Sequence, residues 1–473
     1  AQLLACRAYV VLGALTGSLI HFALGAIVGL SGVVLPELMD PSRDDLVLDP
    51  NQAALFSSLP YVGSMLGSLL SGPLMVWLGQ RVTIMSVLPI SALGWLLLAF
   101  APSIWLMQSS RFLLGITVGT YGGPAYTYVA EITHSSLRGR LSGLVDLFRQ
   151  FGFLFVYIVG SSGLNWRQTS LICGIVTTVI PFVCFCFMPN SPRWLATKAR
   201  LSEARRSLKF YRGDSYNTEN ELDDINKQLQ ESETGSSVAK QFKYLQNPSV
   251  FKRMLLLVFM FFGYQCTGYL SLIVLSVTIF QSVESNINEY TSTIIVGCFR
   301  VLGVATYILL ADKISRRVML IASLVISAIA SSVMGLYFFL AKLNFNLSSY
   351  GWLPLLSMAV FTFFSCTAEP TLVLFRSEIL PTSVRSIGVS IIYIFFFTGA
   401  FLVSYLYPVM VASIGSHGTF WVYSASGILI AIVGFLFIPE TRSKSLEDIQ
   451  KFYGKKEKKL ENIRTPVNDT GNA

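Results

Sequence analysis

Apolar runs recur from residue 8 to residue 438, each long enough to cross the ~30 Å hydrocarbon core of a bilayer as a helix of about 20 residues. Twelve stretches fit that ruler: 8–35, 53–78, 83–101, 104–131, 139–161, 167–188, 253–281, 289–312, 317–341, 351–378, 385–413 and 417–438. In lipid a chain segment has to satisfy its own backbone hydrogen bonds, so runs of this kind leave helices as the solution. Charged residues make up 13% of the 473, about half of what a soluble domain carries. The expected fold class is an all-α membrane protein of twelve transmembrane helices in two six-helix halves. The expected division is an N-terminal half at 1–188, a polar linker with short helices at 189–252, a C-terminal half at 253–438, and a tail at 439–473.

The halves read as copies of one another. The stretch Arg111 to Arg140 is apolar and rich in glycine (Gly115, Gly119, Gly122, Gly123), which suits a helix packed backbone to backbone. It ends in Glu131, a polar turn and Arg138, and the same arrangement returns half a chain later as Glu378 and Arg385. LGQR at 78–81 matches ISRR at 314–317, and PNSPRWL at 189–195 matches PETRS at 439–443. Parallel six-helix repeats are a transporter architecture, with the binding site between them near mid-membrane.

Loop charge sets an expected orientation. Arg81, Arg138, Arg140, Lys313, Arg316, Arg317 and Arg385 fall on one side, with the basic linker and tail. The positive-inside rule puts that side and both termini in the cytoplasm. It places the sequon at Asn346 outside and the one at Asn468 inside. The net charge of +9 is accounted for by these segments and needs no nucleic acid partner. All seven cysteines lie in apolar runs and read as small hydrophobes, the Cys184 and Cys186 pair included. The sequence shows no nucleotide loop, metal cluster or nucleophile with its base, so an enzyme and a cofactor are not expected.

PNSPRWL after the sixth run, PETRSKSLEDI after the twelfth and the paired Glu-x6-Arg elements resemble the sugar porter family of the major facilitator superfamily. Details such as SLPYVGSMLGSLLSGPL and YVAEITHSSLRG look most like arthropod trehalose and hexose facilitators. The resemblance implies alternating access in a plasma membrane, with Arg81, Glu131, Arg138, Arg317, Glu378 and Arg385 clasping the halves when the carrier is open outward. A role as mere helix-end anchors is the alternative. The first-half loop departs from the family, with Val76 and Trp77 where an acid and a base are usual, while the second keeps Asp312 and Lys313. Asn190 stands where the family favours a glutamate.

The cavity departs further. Gln150 matches the family's sugar-binding glutamine, and of a double-glutamine motif only Gln265 survives. Leu270, Val373, Phe396 and Phe397 replace polar or tryptophan positions. In exchange Arg149, Arg300 and Glu369 enter the membrane, all at depths of about 14–18 Å from the cytoplasmic ends. Charges that deep face the protein interior or a water-filled cavity. Three roles stay open for them: an ion pair joining the halves, direct substrate binding, or proton coupling. Asp146, three residues before Arg149, is a competing partner. The run His21–Gly32 lacks the aspartate usual in proton-coupled relatives, which favours a uniporter, although His21 itself can titrate near neutrality.

The expected function is thus an alternating-access carrier of a hexose or trehalose-like sugar, working as a facilitative uniporter. Two alternatives stand beside it: a carrier of an anionic or zwitterionic solute, with or without protons, and a non-transporting sugar sensor.

Overall fold

The computed structural model describes residues 2–42, 45–133, 138–213, 217–233, 244–283, 287–311, 313–381 and 384–442, in backbone alone at 2–7, 138–140, 228–233, 348, 385 and 386. The side chains of Arg138 and Arg385, Asp312 and the tail with Asn468 therefore lie outside the described residues. Span 1 runs Gln2–Gly29 and continues as Ser31–Leu38. Spans 2 to 6 are Pro50–Leu78, Gln80–Ala99, Ile104–Ile132, Arg138–Gly160 and Trp166–Cys186. Span 7 is Pro248–Cys266 continued by Tyr269–Val274 and Ser276–Gln281. Spans 8 to 10 are Glu289–Leu310, Arg316–Lys342 and Leu353–Ile379.

The helix Arg385–Phe437 has 53 residues and would measure about 80 Å if straight. Gly415, at φ 77°, breaks it into spans 11 and 12. Among the described residues ten helices are long and apolar enough to cross a bilayer, the broken one among them. Span 4 is outside those ten because it buries Gln108, Ser110, Arg111, Thr117 and Thr120 inside the bundle. Twelve spans result, in the order the apolar runs predict.

Local chemistry sets the ends. Asp49 and Asn165 cap spans 2 and 6 reciprocally with Gln52 and Gln168, which ties up donors that a helix start leaves free. Spans 2 and 4 pack with no side chain between them: a methyl at Gly119 would sit 2.1 Å from the Ser64 carbonyl, and one at Gly67 2.1 Å from that of Ile116. Spans 1 and 5 meet the same way, Gly25 on the Arg149 carbonyl and Gly152 on that of Phe22. This contact fixes the height of Arg149 and Gln150.

The start of span 1, the linker helices and the end of span 12 lie at one end of the bundle, the linker end. The linker holds three short helices, Pro192–Thr197, Leu201–Arg212 and Thr218–Glu233. They dock on the first half: the Tyr211 and Tyr128 hydroxyls are 2.6 Å apart, and Arg212 donates to the Ile132 carbonyl at 2.8 Å. Between the halves, span 2 packs on span 11 and span 5 on span 8. At the far end the halves touch through Gly32, which lies against the Ile273 and Val274 carbonyls, and through Tyr157, which donates to Ile273 at 3.3 Å.

Candidate functional site

Span 7 breaks where the halves face each other. Gly268 takes φ +80°, a conformation glycine adopts without strain, and the ring of Tyr423 covers it. The break swings Tyr269 into the gap between spans 5, 8 and 10. Its hydroxyl donates to Glu369 Oε2 at 2.9 Å and accepts from Arg300 Nη2 at 3.3 Å.

Around that hydroxyl the three intramembrane charges come together. Arg149 reaches across from span 5 to Glu369 on span 10, Nη1 to Oε1 at 2.6 Å and Nη2 to Oε2 at 2.7 Å. This fork geometry is the strongest form of a guanidinium–carboxylate contact. Arg149 Nη2 also donates to Asp146 Oδ1 at 3.3 Å, and Tyr126 donates to the same oxygen. Arg300, fully buried on span 8, donates through Nη2 to Gln150 Oε1 at 2.6 Å. Its guanidinium lies over Phe153 at 4.4 Å and near Tyr269 at 5.3 Å. The groups joined by these hydrogen bonds count two guanidinium groups and two carboxylates, a formal charge of zero, and the Arg376 guanidinium, 4.7 Å from the Tyr393 ring, stands outside that set.

Several polar atoms facing this network have no partner: Gln150 Nε2, both side-chain atoms of Gln265, Nε and Nη1 of Arg300, and Nε of Arg149. Buried polar groups are almost always bonded, so a set of orphans in one place marks where a polar ligand fits. His21 is also buried, its ring edge-on to Tyr126 at 4.6 Å. Aromatic rings of Tyr393, Phe396 and Phe397 pack in sequence on span 11 beside these groups.

A further arginine was passed over by sequence reasoning. Arg111 is fully buried in span 4 and donates to the Ile27 carbonyl at 2.9 Å, the Phe56 carbonyl at 3.2 Å and Ser31 Oγ at 2.6 Å. It pins the break in span 1 to span 2, and no carboxylate is among these partners. Tyr126 and Tyr269 were missed too, because a tyrosine in an apolar run reads as core until its hydroxyl is located.

At the linker end the repeat is visible in contacts. Glu378 pairs with Arg316, and Glu131 accepts from Gln80 Nε2 at 2.9 Å and from Ser191 Oγ. Gln80 and Arg316 occupy matching places in LGQR and ISRR, and each bonds the glutamate that ends span 4 or span 10 of its own half. Arg81 donates to the Phe185 and Cys186 carbonyls at 3.0 and 3.3 Å, and Arg317 donates to the Phe435 carbonyl, each closing onto the last span of its own half. Glu440 accepts from Ser315 and from the Arg317 and Arg442 amides. Burial pushes its carboxyl up, but these donors win and hold it below the ordinary range. In this structure Arg81, Arg317 and Glu378 make these contacts within their own halves.

Comparison with known proteins accords with this geometry. The facilitated trehalose transporter Tret1 of Bombyx mori is 31% identical over 410 residues, covering 85% of this chain and 79% of the relative. That of Culex quinquefasciatus is 29% identical over 448 residues, covering 94% and 86%. Among solved structures, the xylose transporter XylE from E. coli in a partially occluded inward-open conformation superposes with a TM-score of 0.76 at 19% identity, covering 93% of this chain and 100% of that one. The major facilitator superfamily proton:xylose symporter XylE bound to 6-bromo-6-deoxy-D-glucose gives 0.76 at 20%, covering 94% and 99%. At such identity the fold is what they share. The sugar (and other) transporter family model matches residues 6–453, and with twelve spans, a repeated half and orphaned polar groups between the halves, the chain belongs to that family.

Proposed function

We propose that this chain is a facilitative carrier that moves a neutral hexose or trehalose-like sugar by alternating access. The observation that carries the reading is the charge balance of the central network. Arg149 is held by Glu369 and Asp146 together, so the hydrogen-bonded network offers polar groups whose charges balance among themselves. Sugars are recognised by such convergent polar atoms set beside aromatic rings. The curated relatives named above add support for a sugar. Gln150, Gln265, Arg149, Arg300 and Glu369 are the residues we assign to the site.

Arg111 supports uniport. It is satisfied by two carbonyls and Ser31, so span 1 offers it no carboxylate to protonate and release. The linker end, with its basic turns, is assigned to the cytoplasm, in the plasma membrane. Glycosylation of the exposed Asn346, at the opposite end, checks that orientation by a glycosidase mobility shift. The rings around Glu131 and Glu378 are assigned to gating, releasing their halves as the linker end opens.

The test is uptake by proteoliposomes of trehalose, hexoses and organic anions, with and without a pH gradient. Uptake of a neutral sugar that equilibrates and ignores the gradient is expected. One observation favours an anionic cargo, the two unpartnered nitrogens of Arg300. Anion uptake with no sugar uptake would replace the sugar reading.

A further inference from the structure

Gln150 and Arg300 sit on opposite halves, both fully buried, and Arg300 Nη2 is 2.6 Å from Gln150 Oε1. A guanidinium has donors and no acceptor, so this contact settles which end of the carboxamide faces it: the oxygen. The NH2 group of Gln150 is left over, buried and without a partner. A glutamine free to turn its amide can give or receive a hydrogen bond. This one has its oxygen turned to Arg300, and the group it has left to offer is a donor.

Arg300 is itself held in place. Its Nη2 also meets the Tyr269 hydroxyl at 3.3 Å, that hydroxyl donates to Glu369, and Phe153 lies beneath the guanidinium plane at 4.4 Å. The remaining free atoms nearby, Arg300 Nε and Nη1 and Arg149 Nε, are donors as well. The fully buried unpartnered atoms of Arg149, Gln150 and Arg300 on spans 5 and 8 are therefore donors alone, whereas Gln265 on span 7 keeps both a free donor and a free acceptor.

We propose that Arg300 is a positioning residue for specificity: it locks the Gln150 carboxamide as a donor, so that the carrier admits substrates presenting an acceptor oxygen at that point. This rests on the sugar reading and adds the polarity of one contact to it. The substrate hydroxyl facing Gln150 accepts, and its own hydrogen points elsewhere. A carbon–fluorine bond accepts weakly and donates nothing, and a carbon–hydrogen bond does neither, so the two replacements separate the roles.

The experiment is proteoliposome uptake of the best-transported sugar and its monodeoxy and monodeoxyfluoro derivatives. If no sugar is transported, the functional reading fails, and the polarity inference falls with it. With transport established, one ring position is expected where the deoxy derivative loses about tenfold in kcat/KM, the worth of one hydrogen bond, and the fluoro derivative loses about threefold or less. Gln150→Glu, a carboxylate that only accepts, is expected to make the fluoro derivative as poor as the deoxy one at that position while the parent hydroxyl, able to donate, is kept. Arg300→Met is expected to raise KM for the parent sugar with kcat little changed, and Arg300→Lys, which still donates to Gln150, to restore it. Absence of any position separating fluoro from deoxy would overturn the proposal. So would a Gln150→Glu carrier that tolerates fluorine there. An Arg300→Met carrier that loses kcat alone, without rescue by lysine, would reduce Arg300 to a structural part. Should Arg300→Met fail to fold, the analogue scan on wild type and Gln150→Glu still decides.

Discussion

Arg149 and Glu369 join the two halves at mid-membrane through paired bonds of 2.6 and 2.7 Å, one residue from each half. A carrier that alternates has to tolerate such a bond through its whole cycle or break it once in each. Removing one partner leaves the other charge buried and uncompensated, a loss of about 3–5 kcal/mol. Glu369→Gln is expected to lower the thermal midpoint in detergent and abolish uptake. Arg149→Gln combined with Glu369→Gln should recover stability beyond either single change. A Glu369→Gln carrier as stable and active as wild type would remove the pair from the mechanism.

Coupling can be read at Arg111. Wild-type uptake is expected to equilibrate without concentrating, and an uncoupler should change little. Ser31→Asp sets a carboxylate where a hydroxyl now lies 2.6 Å from the guanidinium. That adds a titratable partner to a buried arginine, and uptake should become pH-dependent. Accumulation by the wild type that an uncoupler abolishes would contradict uniport and turn attention to His21 and Glu369.

The rings at the linker end predict a labelling response. Glu131→Gln removes the acceptor shared by Gln80 and Ser191, so the linker end should loosen and cysteine labelling from the far side fall. Gln80→Arg recreates the Arg316–Glu378 pairing in the first half and should raise far-side labelling, with a gain on the order of 1 kcal/mol. Unchanged labelling in both variants at normal expression would leave these residues as helix anchors.

The apolar runs made the spans legible, since the bilayer sets helix length so tightly, and the shared depth of Arg149, Arg300 and Glu369 was legible with them. The identity of the partners was not. Gly268 looks like any glycine in an apolar run, yet its left-handed turn is what delivers Tyr269 to Glu369. Gln80 was within reach, since the LGQR–ISRR match already sets it against Arg316. Arg111 escaped because its partners are mostly backbone carbonyls, which leave no mark in a sequence.

A far-end strap gives a pH prediction. Asp45 accepts from Arg167 at 2.9 and 3.1 Å and from Trp166 at 3.1 Å, and Arg167 donates also to the Ala99 and Ala101 carbonyls. The Arg167 hydrogen bonds hold the Asp45 carboxyl down at about 2, against an ordinary 3.8. A depressed carboxyl contributes fully above its unfolded value and loses that contribution as pH falls through the folded one. The stability difference between wild type and Asp45→Asn, below about 1 kcal/mol for so exposed a pair, should be flat from about pH 5 to 8 and shrink below about pH 4. A difference that varied between pH 5 and 8 in thermal melts would count against the strap.

The zero sum of Arg149, Arg300, Asp146 and Glu369 reaches beyond the cavity. One uncompensated charge moving through the membrane field would couple to it by about 2.3 kcal/mol per 100 mV. A balanced cluster handling a neutral cargo gives the voltage nothing to act on. Net flux then follows the solute's concentration difference alone and reverses when that difference does, so the same molecule serves a tissue that releases the solute as well as one that takes it up.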